Sequence, residues 1–258
     1  MQIARNKKIY FLSDFHLGAP NAQESLIREK KIVSFLEEIK TTAAQIFIVG
    51  DLFDFWYEYK TVVPKGYVRI LGKLAEITDS GIPIHFFVGN HDMWMNNYLQ
   101  TELNIPVYFE PAPFEFNGKK FLIGHGDGLG PGDHGYKLIK KIFRNKICQW
   151  LFGILPPQIG MGIANYLSRR SRAQAAPTEE KFLGPDKEWL IIYCKEVLLQ
   201  QHYDYFIFGH RHLPINFNLS ASSLYINLGD WIKYFSYAVF DGVQLELKYY
   251  EAPVTLPK

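Results

Sequence analysis

The sequence predicts an α/β layered domain, and three observations carry that expectation. Short apolar runs recur along the 258 residues, helical patterns lie between several of them, and most of the runs end on glycine and a polar residue. Strands alternating with helices imply helices packed on a sheet.

The elements follow in order. "KIYFLSD" (8–14), "QIFIVGD" (45–51), "IHFFVGN" (84–90), "KFLIGH" (120–125), "YFIFGH" (205–210) and "YINLGD" (225–230) are too short for helices and apolar at successive positions. They read as strands buried on both faces. "SLIREKKIVSFLEEIKTT" (25–42) places Ile32, Phe35, Leu36 and Ile39 at helical spacing, "VRILGKLAEITDSG" (68–81) stops at Gly81, and "DKEWLIIYCKEVLLQQH" (186–202) is a third helix. Asp241-Gly242 between two alternating runs in 236–251 predicts a hairpin. Residues 131–185 break the rhythm: Pro and Gly stand at both ends, with amphipathic patterns and the basic run Arg169, Arg170 and Arg172 between. We read a core of 1–130 and 186–258 carrying a helical lid insertion at 131–185.

Composition narrows the class. Hydrophobic residues make up 48% and charged residues 21%, enough for a large core without disulfides. A net charge of +2 gives no electrostatic case for nucleic acid. Cys148 and Cys194 stand in no metal spacing and are expected as reduced, buried thiols, which suits the cytoplasm. The N-terminus has no cleavage-site pattern and no run reaches the ~18 apolar residues of a spanning helix.

The polar residues that end the runs are the chemistry. In layered α/β domains ligands gather at the carboxyl ends of strands. The chain delivers Asp14 and His16 in D-x-H, Asp51 and Asp54 in GDLFD, Asn90, His91 and Asp92 in GNHD, His125 and Asp127 in GHGD, and His210 and His212 in GHRH. Side chains two apart on an extended segment point the same way, so Asp14 and His16 can reach one ion, and His210 and His212 lie on one side. Imidazole, carboxylate and amide donors without thiolate suit Mn, Fe or Zn better than Ca. Seven such ligands are too many for one ion with an open position. They fit two divalent cations roughly 3.5–4 Å apart around a shared carboxylate.

Blander roles compete. Nothing around His85 or His202 asks for a metal, and His134 is ambiguous. Asp54 and Asp127 suit outer groups orienting ligand histidines, with capping an equal alternative for Asp54. Asp92 suits the cap of a helix starting near Met93, and Asp230 a strand end. Lys140, Lys141 and Arg144 suit a solvated face.

The ordered series DFH, GDLFD, GNHD, GHGD, GHRH resembles the calcineurin-like metallophosphoesterases. The resemblance implies two β-sheets packed as a sandwich and flanked by helices. It also implies roles: Asp14, His16 and His212 on one metal, Asn90, His125 and His210 on the other, Asp51 bridging, and His91 assisting the phosphate or protonating the leaving group. "GDLFDFW", "HGDGL" followed by Gly135-Tyr136, the Lys/Arg-rich insertion and "NLGDW" (227–231) look like the UDP-2,3-diacylglucosamine hydrolases of lipid A synthesis. That resemblance implies a Mn-dependent pyrophosphatase releasing UMP and a diacyl sugar phosphate beneath an acyl-binding lid. Two motifs depart from it: better-known members carry Arg in place of His91, and G-H-T-H-R-P in place of "GHRHLP".

The insertion independently suits an amphiphile. Leu138, Ile139, Ile142, Phe143, Ile147, Trp150, Leu151 and Phe152 lie among Lys140, Lys141, Arg144 and Lys146, a mixture fit for acyl chains with phosphate or for the cytoplasmic face of the inner membrane. Tyr136, Lys140, Arg144, Trp150, Arg170 and Arg172 are the candidate substrate contacts. The competing functions are a phosphoesterase on another nucleotide, phospholipid or phosphoprotein, and a metal-free protein-binding scaffold on the same fold, as in the retromer scaffold subunit.

Overall fold

The computed structural model describes residues 1–132, 134–179 and 181–252, with the side chains of His134 and of residues 169–179 outside the description. The elements run β1 (Lys8–Leu12), α1 (Ala22–Lys40), β2 (Ala43–Val49), α2 (Val68–Asp79), β3 (Ile84–Phe87), α3 (Tyr98–Leu103), β4 (Val107–Tyr108), β5 (Ala112–Phe116), β6 (Lys119–Gly124), α4 (His134–Arg144), α5 (Lys146–Ile154), α6 (Pro157–Glu179), α7 (Trp189–Leu198), β7 (Tyr205–Phe208), β8 (Pro214–Ser220), β9 (Ser223–Leu228), β10 (Ser236–Phe240) and β11 (Leu245–Tyr249).

They form two sheets, in strand orders β11-β10-β1-β2-β3-β4 and β5-β6-β7-β9-β8. Alternate residues of each strand serve different layers, which is why the runs are apolar at every position. From the first sheet Ile9, Phe11, Phe47, Val49 and Phe87 face Phe121, Ile123, Ile207 and Ile226 of the second, forming the sandwich interior. Phe11 stacks on Phe47 at 5.2 Å and on Phe121 at 6.1 Å between ring centroids. The intervening residues Tyr10, Leu12, Ile46, Ile48 and Phe86 pack on Ile32, Phe35 and Leu36 of α1 and Ile70, Leu74 and Ile77 of α2. On the far side Leu122, Phe206 and Phe208 meet Leu190, Ile191 and Cys194 of α7.

The predicted strands and the hairpin are all present. Asp241 Oδ1 accepts from the amides of Val243 and Gln244 at 2.8 and 2.9 Å, closing the β10–β11 turn. Three strands escaped the sequence reading. β5 carries Pro113 and β8 begins on Pro214 at the two edges of the second sheet, where a missing amide is tolerated. β4 has only two residues. No helix starts at Met93; α3 begins at Tyr98, so Asp92 caps nothing there. Cys194 is buried but Cys148 is only partly so; both are free thiols.

Three helices, α4 to α6, fill most of 131–185. Their inner faces are tied to the core by aromatic contacts: Trp94 lies 4.6 Å from Phe152 and 5.6 Å from Phe143, and Tyr57 4.8 Å from Phe152. Tyr57 Oη donates to the Gln149 carbonyl at 2.7 Å. Their outer faces stay bare: Leu138, Ile147, Trp150 and Ile154 are each at least 60% exposed.

Candidate metal centre

β1, β2 and β3 run parallel in one sheet, and β6 and β7 run parallel in the other. The segments leaving their carboxyl ends carry Asp14 and His16, then Asp51, then Asn90 and His91, then His125, and finally His210 and His212. All seven predicted ligands meet. Ligand atoms of Asp14, His16, Asp51 and His212 lie within 4.8 Å of one another. His16 Nε2 is 3.0 Å from His212 Nε2, and Asp14 Oδ1 is 3.2 Å from His212 Nε2. Beside this group, Asn90 Oδ1 is 3.1 Å from His125 Nε2 and 2.8 Å from His210 Nδ1. Asp51 Oδ2 stands between the groups, 3.6 Å from His16 Nε2 and 3.3 Å from His125 Nε2.

The backbone is bent to bring them there. Asp14, His16, Asp51, His210 and His212 have φ of 57°, 44°, 53°, 66° and 54°. Such left-handed conformations are uncommon outside glycine, and strain of this kind costs about 1–3 kcal/mol per residue and clusters at functional sites. Cross-loop bonds hold it: the amide of His16 donates to the Asp51 carbonyl at 2.9 Å, that of His210 to Asp14 Oδ2 at 3.1 Å, and that of His91 to Asp51 Oδ1 at 2.8 Å.

The glycines before the ligands now have a reason. A Cβ on Gly50 would come within 2.3 Å of His125 Nδ1; one on Gly89 would meet Asp51 Oδ1 at 2.1 Å; one on Gly209 would meet Ser13 Oγ at 2.0 Å and Asp14 Oδ2 at 2.6 Å. Each glycine vacates the space that a ligand from another segment occupies.

The residues fit divalent cations. Asp14 Oδ1 and Asp51 Oδ2 are buried with no hydrogen-bond donor. Buried carboxylate oxygens normally have partners, and these two lie against imidazole nitrogens with no thiolate nearby. Asp14, His16 and His212 could hold one cation, Asn90, His125 and His210 a second, and Asp51 both.

Electrostatics tell the same story without the cations. Burial opposes charge on Asp14, His16, Asp51, His125 and His210 alike. Burial disfavours a charged His16, yet Asp14, Asp54 and Asp51 outweigh it and push the imidazole up to about 10. His125 is likewise pushed up to about 10 against burial, chiefly by Asp51. Burial works to raise Asp14 and Asp51, but the neighbouring histidines hold both well below the usual carboxylate range. Metal-free, the cluster therefore keeps protons where metal would bind. Loading at neutral pH is expected to release about two protons, from imidazoles rather than carboxylates, and affinity to rise with pH from neutrality up to about 10, where His16 and His125 lose their protons unaided. Titration calorimetry of Mn2+ or Zn2+ in buffers of different ionisation enthalpy measures this; buffer-independent heats would contradict it.

Surrounding groups brace the ligands. Burial and the Asp51 charge push Asp92 up to about 7, and its carboxylate accepts from the amides of Gly89 at 2.8 Å and Leu52 at 2.9 Å, joining two ligand loops. Arg28 of α1, buried, donates to the carbonyls of Phe15 at 2.7 Å, His16 at 2.7 Å and Ala19 at 2.5 Å, bracing the D-x-H turn. Arg211, between two histidines, is 1% exposed and pairs with Glu188 at 3.1 Å. Asp230 Oδ1 accepts from the amides of Ile232, Lys233 and Tyr234, and Oδ2 is 3.7 Å from His212 Nδ1. His85 stacks on Phe47 at 4.5 Å away from the ligands, with burial pushing it down to about 4, and His202 is exposed.

The other predicted site residues scatter. His91 Nδ1 lies 3.0 Å from the Asp54 carbonyl, and its ring 4.7 Å from that of His16. Tyr136 Oη donates to Asp127 Oδ2 at 2.7 Å, and Lys140 Nζ is 2.6 Å from the same oxygen, so α4 is latched beside His125. Arg144 pairs with Glu110 and donates to the Phe109 carbonyl at 2.6 Å. Trp150 is 65% exposed on α5, apart from the ligands. The Arg170 and Arg172 side chains lie outside the described residues.

The profile of one protein family, described as Calcineurin-like phosphoesterase, matches residues 7–214. A Porphyromonas gingivalis protein named UDP-2,3-diacylglucosamine hydrolase is 38% identical over 255 residues, covering 93% of this chain and 97% of that protein. Proteins of the same name from Aeromonas hydrophila (28% identical, covering 86% of this chain and 90% of that one) and Histophilus somni strain 129Pt (26%, covering 87% and 92%) are also similar.

Proposed function

This chain belongs to the calcineurin-like phosphoesterase family, and we propose that it hydrolyses the pyrophosphate of UDP-2,3-diacylglucosamine to UMP and 2,3-diacylglucosamine 1-phosphate. The near full-length likeness to the Porphyromonas gingivalis hydrolase carries this reading. The seven-residue centre supports the reaction class, and the bare apolar faces of α4 to α6 support a lipid-bearing substrate.

When bound, two divalent cations, Mn2+ as the family resemblance implies and Fe or Zn compatible with the donors, supply Lewis-acid charge for the phosphate oxygens and a hydrolytic water that ionises near neutral pH. The chain does the rest. Asp51 holds the two ligand groups in register, and Asp92 fixes the loops that carry Asp51 and Asn90. The Asp54 carbonyl can only accept, so it keeps the His91 proton on Nδ1. That commits Nε2 of His91 to the proton traffic of the leaving oxygen. Asp127, through Tyr136 and Lys140, holds α4 against the centre, with Arg144 beside it and Arg170, Arg172 and Trp150 on the helices beyond. The helices of 131–185 act as a lid over the acyl chains.

Exposed Leu138, Ile147, Trp150 and Ile154 with Lys141 and Lys146 on the same helices also suit the surface of an anionic bilayer, the cytoplasmic face of the inner membrane. Among the described residues no helix is long and apolar enough to cross a membrane. A second reading, hydrolysis of another nucleotide, phospholipid or phosphoprotein, is favoured by His91 at the place where better-known members of that hydrolase group carry Arg. Purified protein loaded with Mn2+ is expected to release UMP from UDP-2,3-diacylglucosamine and to co-sediment with anionic vesicles. Preference for a soluble, unacylated ester would replace the first reading with the second, and failure to sediment would remove the membrane.

A further inference from the structure

We propose that Ser168, on α6, is a positioning residue for His91, so that this helix is part of the catalytic centre as well as a cover for it. The proposal rests on the phosphoesterase reading of the site but not on the identity of the ester.

Ser168 is 8% exposed, in a helix whose neighbouring residues Ile163, Tyr166 and Leu167 are 44%, 64% and 46% exposed. A serine is an unusual choice for the inward face of a helix, where its hydroxyl needs partners. It has two. Ser168 Oγ donates to Asp54 Oδ2 at 2.8 Å and lies 3.2 Å from His91 Nδ1. The same Nδ1 is 3.0 Å from the Asp54 carbonyl and 3.6 Å from Asp54 Oδ1.

The hydroxyl has one proton, and a carboxylate can only accept it. Oγ then presents a lone pair to His91 Nδ1–H, which the Asp54 carbonyl also attracts. The imidazole is thus held on two sides at one nitrogen, and Nε2 is its ring nitrogen without a protein partner among the described residues. Asp54 Oδ1 also lies 3.7 Å from His16 Nδ1, so the clasp reaches the first ligand group. Asp54 comes from the β2–α2 segment, His91 from the β3–α3 segment and Ser168 from α6, 77 residues after His91 in sequence. Only with α6 seated on the core are the three together. Groups that orient a reacting histidine typically change activity ~10–100-fold when removed.

The test compares wild type, Ser168→Ala and Ser168→Thr, all loaded with Mn2+. Substrates are UDP-2,3-diacylglucosamine and bis(p-nitrophenyl) phosphate, the second reporting phosphodiester hydrolysis whatever the natural ester. Ser168→Ala is expected to lower kcat at least 10-fold on any ester the wild type hydrolyses, with KM, metal content and thermal midpoint nearly unchanged, and Ser168→Thr to restore most of it. Nitrogen-15 NMR of the metal-free protein, with His91 assigned through His91→Gln, is expected to find the Nδ1–H form in wild type and a tautomer mixture in Ser168→Ala. An unchanged kcat, an unchanged tautomer, or a loss that tracks the thermal midpoint and is not rescued by Thr overturns the proposal. Wild-type turnover of bis(p-nitrophenyl) phosphate without UMP release counts against the substrate and leaves the Ser168 comparison intact.

Discussion

Asp51→Ala is expected to remove at least about 10³-fold from kcat/KM, beyond the ~10–100-fold that loss of an outer orienting group costs, while the protein stays folded. Every other ligand candidate belongs to one group. Asp51 Oδ2 lies against an imidazole of each, and its Oδ1 accepts the His91 amide at 2.8 Å, so the substitution would remove the proposed bridge between the cations and loosen the segment that carries His91. Folding should survive because the sandwich interior and the helix-packed faces are built from separate apolar residues. Metal analysis should find less than two equivalents per chain, and a urea titration a single cooperative transition. Substantial turnover by a folded Asp51→Ala protein contradicts the two-cation centre. Asp51→Asn separates the two roles: an amide oxygen still accepts from the His91 amide but brings no charge, so it should retain the loop and lose the activity.

Gly89→Ala is expected to come second, as one methyl group that mimics loss of a ligand. The new Cβ would meet Asp51 Oδ1 at 2.1 Å, the Asp51 amide nitrogen at 2.6 Å and its Cγ at 2.7 Å. Backbone cannot swing aside as a long side chain does, so the β2 and β3 loops must part. Forced overpacking of this kind costs typically about 1–3 kcal/mol, and the displaced carboxylate should lower activity by roughly 10²-fold or more. Gly162→Ala is the control. Nothing lies within 4 Å of its added Cβ, and it sits inside α6, where alanine is favoured over glycine by about 0.5–1 kcal/mol. It should leave activity and metal content alone. Wild-type activity in Gly89→Ala would mean that the loops yield more readily than their packing implies.

The ligand set is legible because each member lies where an apolar run ends, and glycine marks four of those junctions, at Gly50, Gly89, Gly124 and Gly209. Both sheets' strands were legible wherever both faces are buried. The second sheet's edges were not: β5 and β8 mix polar residues and Pro113 or Pro214 into weak patterns. Asp92 reads as a helix cap because an acidic residue before a break has that meaning locally; its partners, the Leu52 and Gly89 amides, come in part from another segment. Arg28 and Ser168 left no trace. On a helix with polar neighbours an arginine reads as solvated and a serine as neutral, and only tertiary packing reveals that one braces the D-x-H turn and the other touches His91. Arg211 was visible only as an oddity between two histidines; burial against Glu188 gives it a structural meaning.

The sheets contribute unequally to the centre: Asp14, His16, Asp51 and Asn90 leave the first, and His125, His210 and His212 leave the second. His16 and His212, side by side, are 196 positions apart in the chain. Contacts so remote in sequence carry a high loop-closure cost and slow folding. A chain in which the two sheets have not yet closed on each other owns only part of the donor set.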